Sequence, residues 1–212
     1  MATVEQGPVA EGLVSRVKNI LLSPKAEWGR IDLEPATVKG LFLGYACILA
    51  AIGPLAQLIG GQLFGFHVLF VNYHPTLISG ITRAIVSYVL SLAAVFVLGL
   101  IIDALAPSFG GTKDRTQAFK VAVYSMTAAW VAGIFGLFPP LAPLSIVGLY
   151  GLYLLYAGLP RLMKAPQEKA MGYTAVVVVA YIVIFVVIAV VTGAVAGAGM
   201  GAAGVAAPTV VG

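Results

Sequence analysis

Long apolar blocks and short polar connections alternate along this chain. Five blocks stand out: Gly40 to Leu63, Ala84 to Leu105, Ala118 to Phe138, Leu141 to Leu159 and Tyr173 to Val191. Each is long enough for a helix to cross a bilayer, which takes about 20 residues. Helices are expected because a backbone in lipid must satisfy its polar groups within its own segment. The fifth block, YTAVVVVAYIVIFVVIAVV, is rich in β-branched residues, but its length without alternation predicts a membrane helix. Only PPLAP separates the third block from the fourth, which predicts a tight helical hairpin. The connection FGFHVLFVNYHPTL, with Phe64, Phe66, Phe70 and Tyr73, predicts an aromatic interfacial segment dipping toward lipid.

Before the first block, VAEGLVSRVKNILLSP spaces Leu13, Val17 and Leu21 four apart, with Arg16 and Lys18 elsewhere on the helix. That pattern predicts an amphipathic helix lying on the membrane surface. Ser23 followed by Pro24 predicts an N-cap and the start of a second short helix through Trp28. Trp28 is expected to anchor it in the headgroup zone. After Val191 the chain is glycine and alanine, with Gly193, Gly197 and Gly201 four apart as in closely packed membrane helices. This tail reads either as an extension of the fifth helix or as a partly inserted segment. The fold class is all-α: an integral membrane bundle of five transmembrane helices with an N-terminal amphipathic interfacial helix. Its parts are a cytoplasmic segment (1–38), a five-span membrane domain (39–192) and the tail (193–212).

Composition strengthens the membrane reading. The chain is 60% hydrophobic and 9% charged with a mean hydropathy of +1.02, whereas soluble domains are about 25% charged. The net charge of +4 is dispersed among connections, which suits topology and anionic headgroups and gives no nucleic-acid arm. Arg16, Lys18, Lys25, Arg30 and Lys39 precede the first span; the island FGGTKDRTQAFK, after the second, holds Lys113, Arg115 and Lys120; Arg161, Lys164 and Lys169 lie between the fourth and fifth. FGFHVLFVNYHPTL, PPLAP and the tail after Val191 hold no lysine or arginine, so the N-terminus is expected in the cytoplasm and the C-terminus outside. The start MATVEQGPVAEGL lacks a basic stretch leading into an apolar core, so no cleavable signal peptide is expected. The single cysteine, Cys47, lies in an apolar block and reads as packing material.

Charges within apolar blocks are the first places to look for chemistry. Arg83 and Asp103 sit at opposite ends of the second block, about 30 Å apart along a helix, so they do not pair with one another. Asp103 is expected to meet Lys39, Lys120 or Arg115 at the rim. Pro54 breaks the first block and leaves the Ala50 carbonyl without its helical donor, with Gln57 one turn on. Together with Tyr150, Tyr153 and Tyr156 these groups define the alternative reading of a small transporter or channel. His67 and His74, seven apart, lack a third ligand, so no metal site is expected. Ser87, Ser91, Ser125 and Ser145 have no neighbouring base, so no catalytic residue and no cofactor are expected. In the fourth block, Gly148, Gly151 and Gly158 predict one closely packed helix face. The island FGGTKDRTQAFK, Phe109 to Lys120, has its glycines and lysine in the wrong order for a phosphate loop and follows no strand. It reads as a turn in which Gly110 and Gly111 redirect the chain and Thr112 or Asp114 caps the next helix. The expected contact residues for anionic lipid or a protein partner are Arg16, Lys18, Lys25, Arg30, Lys113, Arg115 and Lys120. The intramembrane polar candidates are Arg83, Asp103 and Gln57.

The run from GGTKDRTQAFKVAVYSMTAAW through LYLLYAGLPRLMKAPQEKAMGYTAVVVV, preceded by LLSPKAEWGRIDLEPA, resembles the prokaryotic branch of the Yip family of integral membrane proteins, over roughly Ile20 to Val191. Its recognisable parts are the segment through Pro24 and Trp28, Gly110 with Gly111, the AVY ending at Tyr124, the break at Pro139, LYLLYAGL, and Lys169 with Ala170. Family members often carry a proline shortly after the residues corresponding to Tyr124 and Ser125, whereas YSMTAAW has none. The eukaryotic DLYGP signature is absent, so a Rab partner does not carry over. The resemblance implies a five-span protein without known catalytic chemistry, acting in membrane organisation. The expectation is a scaffold or accessory subunit of a bacterial inner membrane, working through lipid contacts and a protein partner or homo-oligomer.

Overall fold

Five helical stretches in the computed structural model are long and apolar enough to cross a membrane: Val38–Phe64, Leu77–Phe109, Arg115–Leu137, Pro139–Leu162 and Gln167–Ala194. The structure describes residues 12–68, 71–73 and 76–204. Two short helices, α1 (Leu13–Leu22) and α2 (Pro24–Leu33), precede the spans. The third span is the hub: 72% of its most apolar stretch is buried, against 11% for the fifth. Its neighbours are the first, second and fourth spans and the two N-terminal helices, and the shared core includes Trp28, Ile31, Leu98, Ile102, Phe119, Leu154 and Leu155.

Close helix approach is made possible by glycines. A Cβ on Gly133 would stand 2.8 Å from the Gly53 Cα, and one on Gly60 would stand 2.5 Å from the carbonyl oxygens of Gly136 and Leu137. The first and third spans therefore meet backbone to backbone, the mode by which dispersion contacts associate helices in lipid. The face expected from Gly148, Gly151 and Gly158 also packs closely. Its first two glycines meet Ala129 and the Ser125 carbonyl on the third span, and Gly158 meets the ring of Trp28.

Several spans depart from regular α-helix. The stretch Phe42–Ala46 widens to a π-helix, and the helix restarts beyond Ala51, where Pro54 withholds a donor from the Ala50 carbonyl. The third span is interrupted at Met126, although no proline stands there. Beyond it the expected tight helical hairpin forms, wound as two 3₁₀ stretches, Gly133–Leu137 and Pro139–Leu149, which meet at the extended residue Phe138. Pro139, Pro140 and Pro143 supply no amide donors there, so the regular α-helical ladder cannot form. The connection between the first two spans contains a two-stranded hairpin, β1 (Phe66–Val68) against β2 (Val71–Tyr73). The fifth helix continues unbroken from Gln167 to Gly204, so residues 193–204 extend it.

The island behaves as a turn. Gly110 takes the left-handed conformation at φ 73°, Gly111 packs against the Met163 carbonyl, and Asp114 caps the third span by accepting from the Gln117 amide at 3.0 Å.

Replacing Gly60 by valine should force the first and third spans apart and lower stability by about 1–3 kcal/mol, the usual cost of overpacking. Gly193→Val, where no neighbour lies within 4 Å, should leave the detergent melting temperature unchanged. Equal melting temperatures for both variants would contradict the glycine contact.

Candidate functional site

The three basic stretches of the sequence converge at one end of the bundle. The Thr112 amide donates to the Met163 carbonyl at 2.7 Å, joining the turn after the second span to the connection after the fourth. Asp32, in α2, links both to the N-terminal helices: Gln117 Nε2 donates to its carbonyl at 3.1 Å, and Lys164 Nζ reaches its carboxylate at 2.8 Å.

Beneath α1 and α2 lies a network of buried charge. Arg16 and Ile20 stand one turn apart on the inward face of α1, while Glu27, Trp28 and Ile31 line the inward face of α2. Arg16, only 4% exposed, ion-pairs with Glu27, and its Nη2 donates to both carboxylate oxygens of Glu34 at 2.6 Å. Burial pulls the Arg16 guanidinium toward neutrality, but the Glu34 hydrogen bond and the charges of Glu34 and Glu27 outweigh it. Its proton is therefore held more tightly than in water, and the site keeps its cation. Lys120, from the third span, donates to the carbonyls of Ile31 at 2.7 Å and Glu34 at 2.6 Å, tying the end of α2 to the bundle. These are carbonyls that a helix C-terminus leaves without internal donors.

Aromatic groups complete the wall. The guanidinium of Arg16 lies 5.7 Å from the Tyr124 ring centroid, and that ring meets Trp28 at 6.3 Å and Tyr45 at 4.8 Å edge to face. The Thr127 hydroxyl donates to the Tyr124 carbonyl at 2.7 Å, so the Tyr45 hydroxyl, 2.8 Å away, is the donor to Thr127. Between α1 and the first and third spans these groups border an open cavity of about 560 Å³. Arg16, Glu34, Thr37, Tyr45, Lys120 and Tyr124 form its polar side, and Leu13, Ala36 and Leu41 its apolar side.

The seven contact residues expected from sequence divide into two groups. Lys18, Lys25, Arg30, Lys113 and Arg115 are exposed, with Arg30 3.4 Å from Glu27 and Arg115 5.9 Å from the Phe119 ring centroid. Arg16 and Lys120 are instead buried and bound to protein acceptors, because acidic and carbonyl groups of the N-terminal segment fold over them. Trp28 is likewise fully buried against Gly158, not placed at a membrane surface. Leu13, Val17 and Leu21, the apolar face of α1, pack against the bundle core. Ser23 occupies the N-cap of α2, but its hydroxyl makes no capping bond.

The intramembrane candidates do not come together. Asp103 is 8% exposed and its Oδ1 has no hydrogen-bond partner, so the expected pairing with Lys120 is corrected; Lys120 serves α2 instead. Beside Asp103, the Tyr173 hydroxyl donates to the Ile102 carbonyl, and its ring stacks on Phe109 at 4.9 Å. Arg83 is half-buried in the second span, and Gln57 is exposed with its Cγ against Gly136. The groove beside Pro54, about 290 Å³, is lined by Leu55, Leu58, Ile81, Ile85 and Tyr88 and does not include Gln57. Tyr150 donates to the Leu21 carbonyl at 3.1 Å, while Tyr153 and Tyr156 face outward. His67 stands opposite Asn72 in the hairpin, and His74 lies outside the described residues.

Sequence reasoning passed over Glu27, Glu34, Tyr45 and Tyr124. A usable signal was present: Glu27 shares the inward stripe of α2 with Trp28 and Ile31, a position where a carboxylate requires a cationic partner.

A five-span helical bundle with its first two helices folded over one end defines the class as a multi-pass integral membrane protein. The Yip1 domain matches residues 18–190, nearly the whole bundle and most of the docked N-terminal segment, and the chain belongs to the Yip family. Neither the curated proteins nor the solved structures compared with it give a match.

Arg16→Leu strands Glu27 without its buried cation and should destabilise the protein by about 3–5 kcal/mol. Lys18→Leu, on the exposed side of the same helix, should cost less than about 0.5 kcal/mol. Unfolding in detergent followed by tryptophan emission would report both, and equal effects would contradict the buried pair.

Proposed function

We propose that this Yip-family protein is a scaffold or accessory subunit that acts through lipid and protein contacts, without catalytic chemistry of its own. The observation that supports this reading is the gathering of three basic connections at one end, leaving Lys18, Lys25, Arg30, Lys113 and Arg115 exposed around the docked N-terminal helices. By the preference of basic connections for the cytoplasmic side, that end faces the cytoplasm of a bacterial inner membrane and the C-terminus lies outside. Each exposed cation near an anionic headgroup layer contributes about 1 kcal/mol of attraction. The same surface suits an acidic face of a protein partner or of a second copy.

The alternative reading as a small transporter or channel finds less support. The groove at Pro54 is apolar and lies between the first two spans, and Tyr153 and Tyr156 point away from the core.

Changing Lys18, Lys25, Arg30, Lys113 and Arg115 together to glutamine should reduce the anionic lipid retained with the protein in native-membrane nanodiscs, and should reduce the yield of its cross-linked partner. Unaltered retention and cross-linking would contradict the proposal. Solute flux through the purified protein in sealed liposomes would favour transport.

A further inference from the structure

The cavity under α1 has the size, depth and charge of a ligand site. At about 560 Å³, it falls within the about 300–1,000 Å³ of small-molecule sites. Tyr45 lies about 10 Å along the first span from Val38 at about 1.5 Å per residue, so the cavity reaches from the rim toward the upper acyl region. A headgroup layer is about 5–8 Å thick on each side of the hydrocarbon. With the bilayer boundary near Val38, where the first apolar span starts, the cavity would open at the level of lipid phosphates and glycerol backbones.

Its charge is specific. Arg16, Lys120 and Glu34 line the cavity, two cations to one carboxylate, and Glu27, behind Arg16, is shared between Arg16 and Arg30. That balance suits a phosphodiester, with its single negative charge. Glu34 is the movable member: its side chain is 25% exposed, whereas that of Glu27 is 1% exposed. An incoming phosphate oxygen can take the place of the Glu34 carboxylate on Arg16 while Glu27 keeps the guanidinium oriented.

The wall also holds a hydroxyl without a partner. Tyr124 is 8% exposed and lines the cavity, and among the described residues it makes ring contacts but no side-chain hydrogen bond. The Tyr45 hydroxyl, by contrast, is committed to Thr127. Tyr124 lines the cavity, and a phosphate oxygen there can accept from its hydroxyl. The π-helical stretch Phe42–Ala46 brings Gly44 and Tyr45 onto the same wall, and such widenings recur at functional sites. Leu13, Ala36 and Leu41 offer apolar surface to the first carbons of an acyl chain.

We propose that this cavity binds the phosphodiester headgroup of one membrane phospholipid, with Tyr124 and Arg16 on the phosphate and Leu13 and Leu41 on the lipid's upper chain. The inference rests on the reading that this end of the protein meets a headgroup layer, but it concerns one bound lipid and not attraction to exposed cations.

The test is titration of the full-length protein in neutral detergent with dihexanoyl phosphatidylglycerol, followed by native mass spectrometry. One lipid should bind saturably. Tyr124→Phe keeps the ring contacts and should weaken that binding about tenfold, the loss of one hydrogen bond to a charged group. Glu34→Gln removes the competing carboxylate and should strengthen it severalfold, a sign opposite to that of a merely disrupted structure. Tyr153→Phe, at an exposed ring, and a variant with only Lys18, Lys25, Lys113 and Arg115 changed to glutamine should bind the single lipid as the unaltered protein does, so failure of surface attraction is read separately. Non-saturable binding, equal affinity in Tyr124→Phe, weaker binding in Glu34→Gln, or saturation by inorganic phosphate at the same concentration would each overturn the proposal.

Discussion

The pairing of Arg16 with Glu27 and Glu34 is the constraint on which the N-terminal architecture depends. A guanidinium removed from water is tolerated only where carboxylates replace its hydration. Arg16 brings those carboxylates from positions 11 and 18 residues downstream, so it fixes α1 against α2 and against the residues leading into the first span. Lys120 then fixes that assembly to the third span through carbonyls at the end of α2. Once these contacts are made, Trp28 is brought against Gly158, where the absence of a side chain leaves room for an indole ring. The N-terminal segment is in this way part of the bundle and not an appendage on a membrane surface.

The hub role of the third span follows from the same economy of side-chain volume. It carries Ala118, Ala122, Ala128 and Ala132 among its buried positions and meets glycines of the first and fourth spans. Small residues let backbones approach, and in lipid it is close packing that holds helices together. The interruption at Met126 turns the Tyr124 carbonyl toward the Thr127 hydroxyl, which in turn accepts from Tyr45. One helix irregularity therefore ties the third span to the π-helical part of the first, and both border the cavity.

The sequence carried the five spans plainly because each is a block of apolar residues long enough to cross, a signal that needs no tertiary information. The turn at Gly110 and Gly111 and the Asp114 cap were equally legible, since both depend on local conformation. The α1 stripe of Leu13, Val17 and Leu21 showed that one face is apolar, but periodicity does not state whether lipid or protein covers it. Arg16 and Lys120 read as exposed cations for the same reason. The acceptors that bury Lys120 lie 86 and 89 residues away in the chain and are backbone carbonyls, which leave no trace in residue type. The 3₁₀ winding around Pro139 to Leu149 was also unmarked beyond its prolines, because withheld donors break an α-helix without specifying its replacement.

Trp28 gives direct access to the central claim, since the only other tryptophan is Trp130. In the Trp130→Phe protein, reconstituted in bilayers, quenching of Trp28 by lipids brominated near the headgroup and by aqueous acrylamide measures what surrounds the ring. A docked N-terminal segment predicts blue-shifted emission that neither quencher reduces appreciably. Strong quenching by the brominated lipids would place Trp28 in the membrane interface and contradict the account.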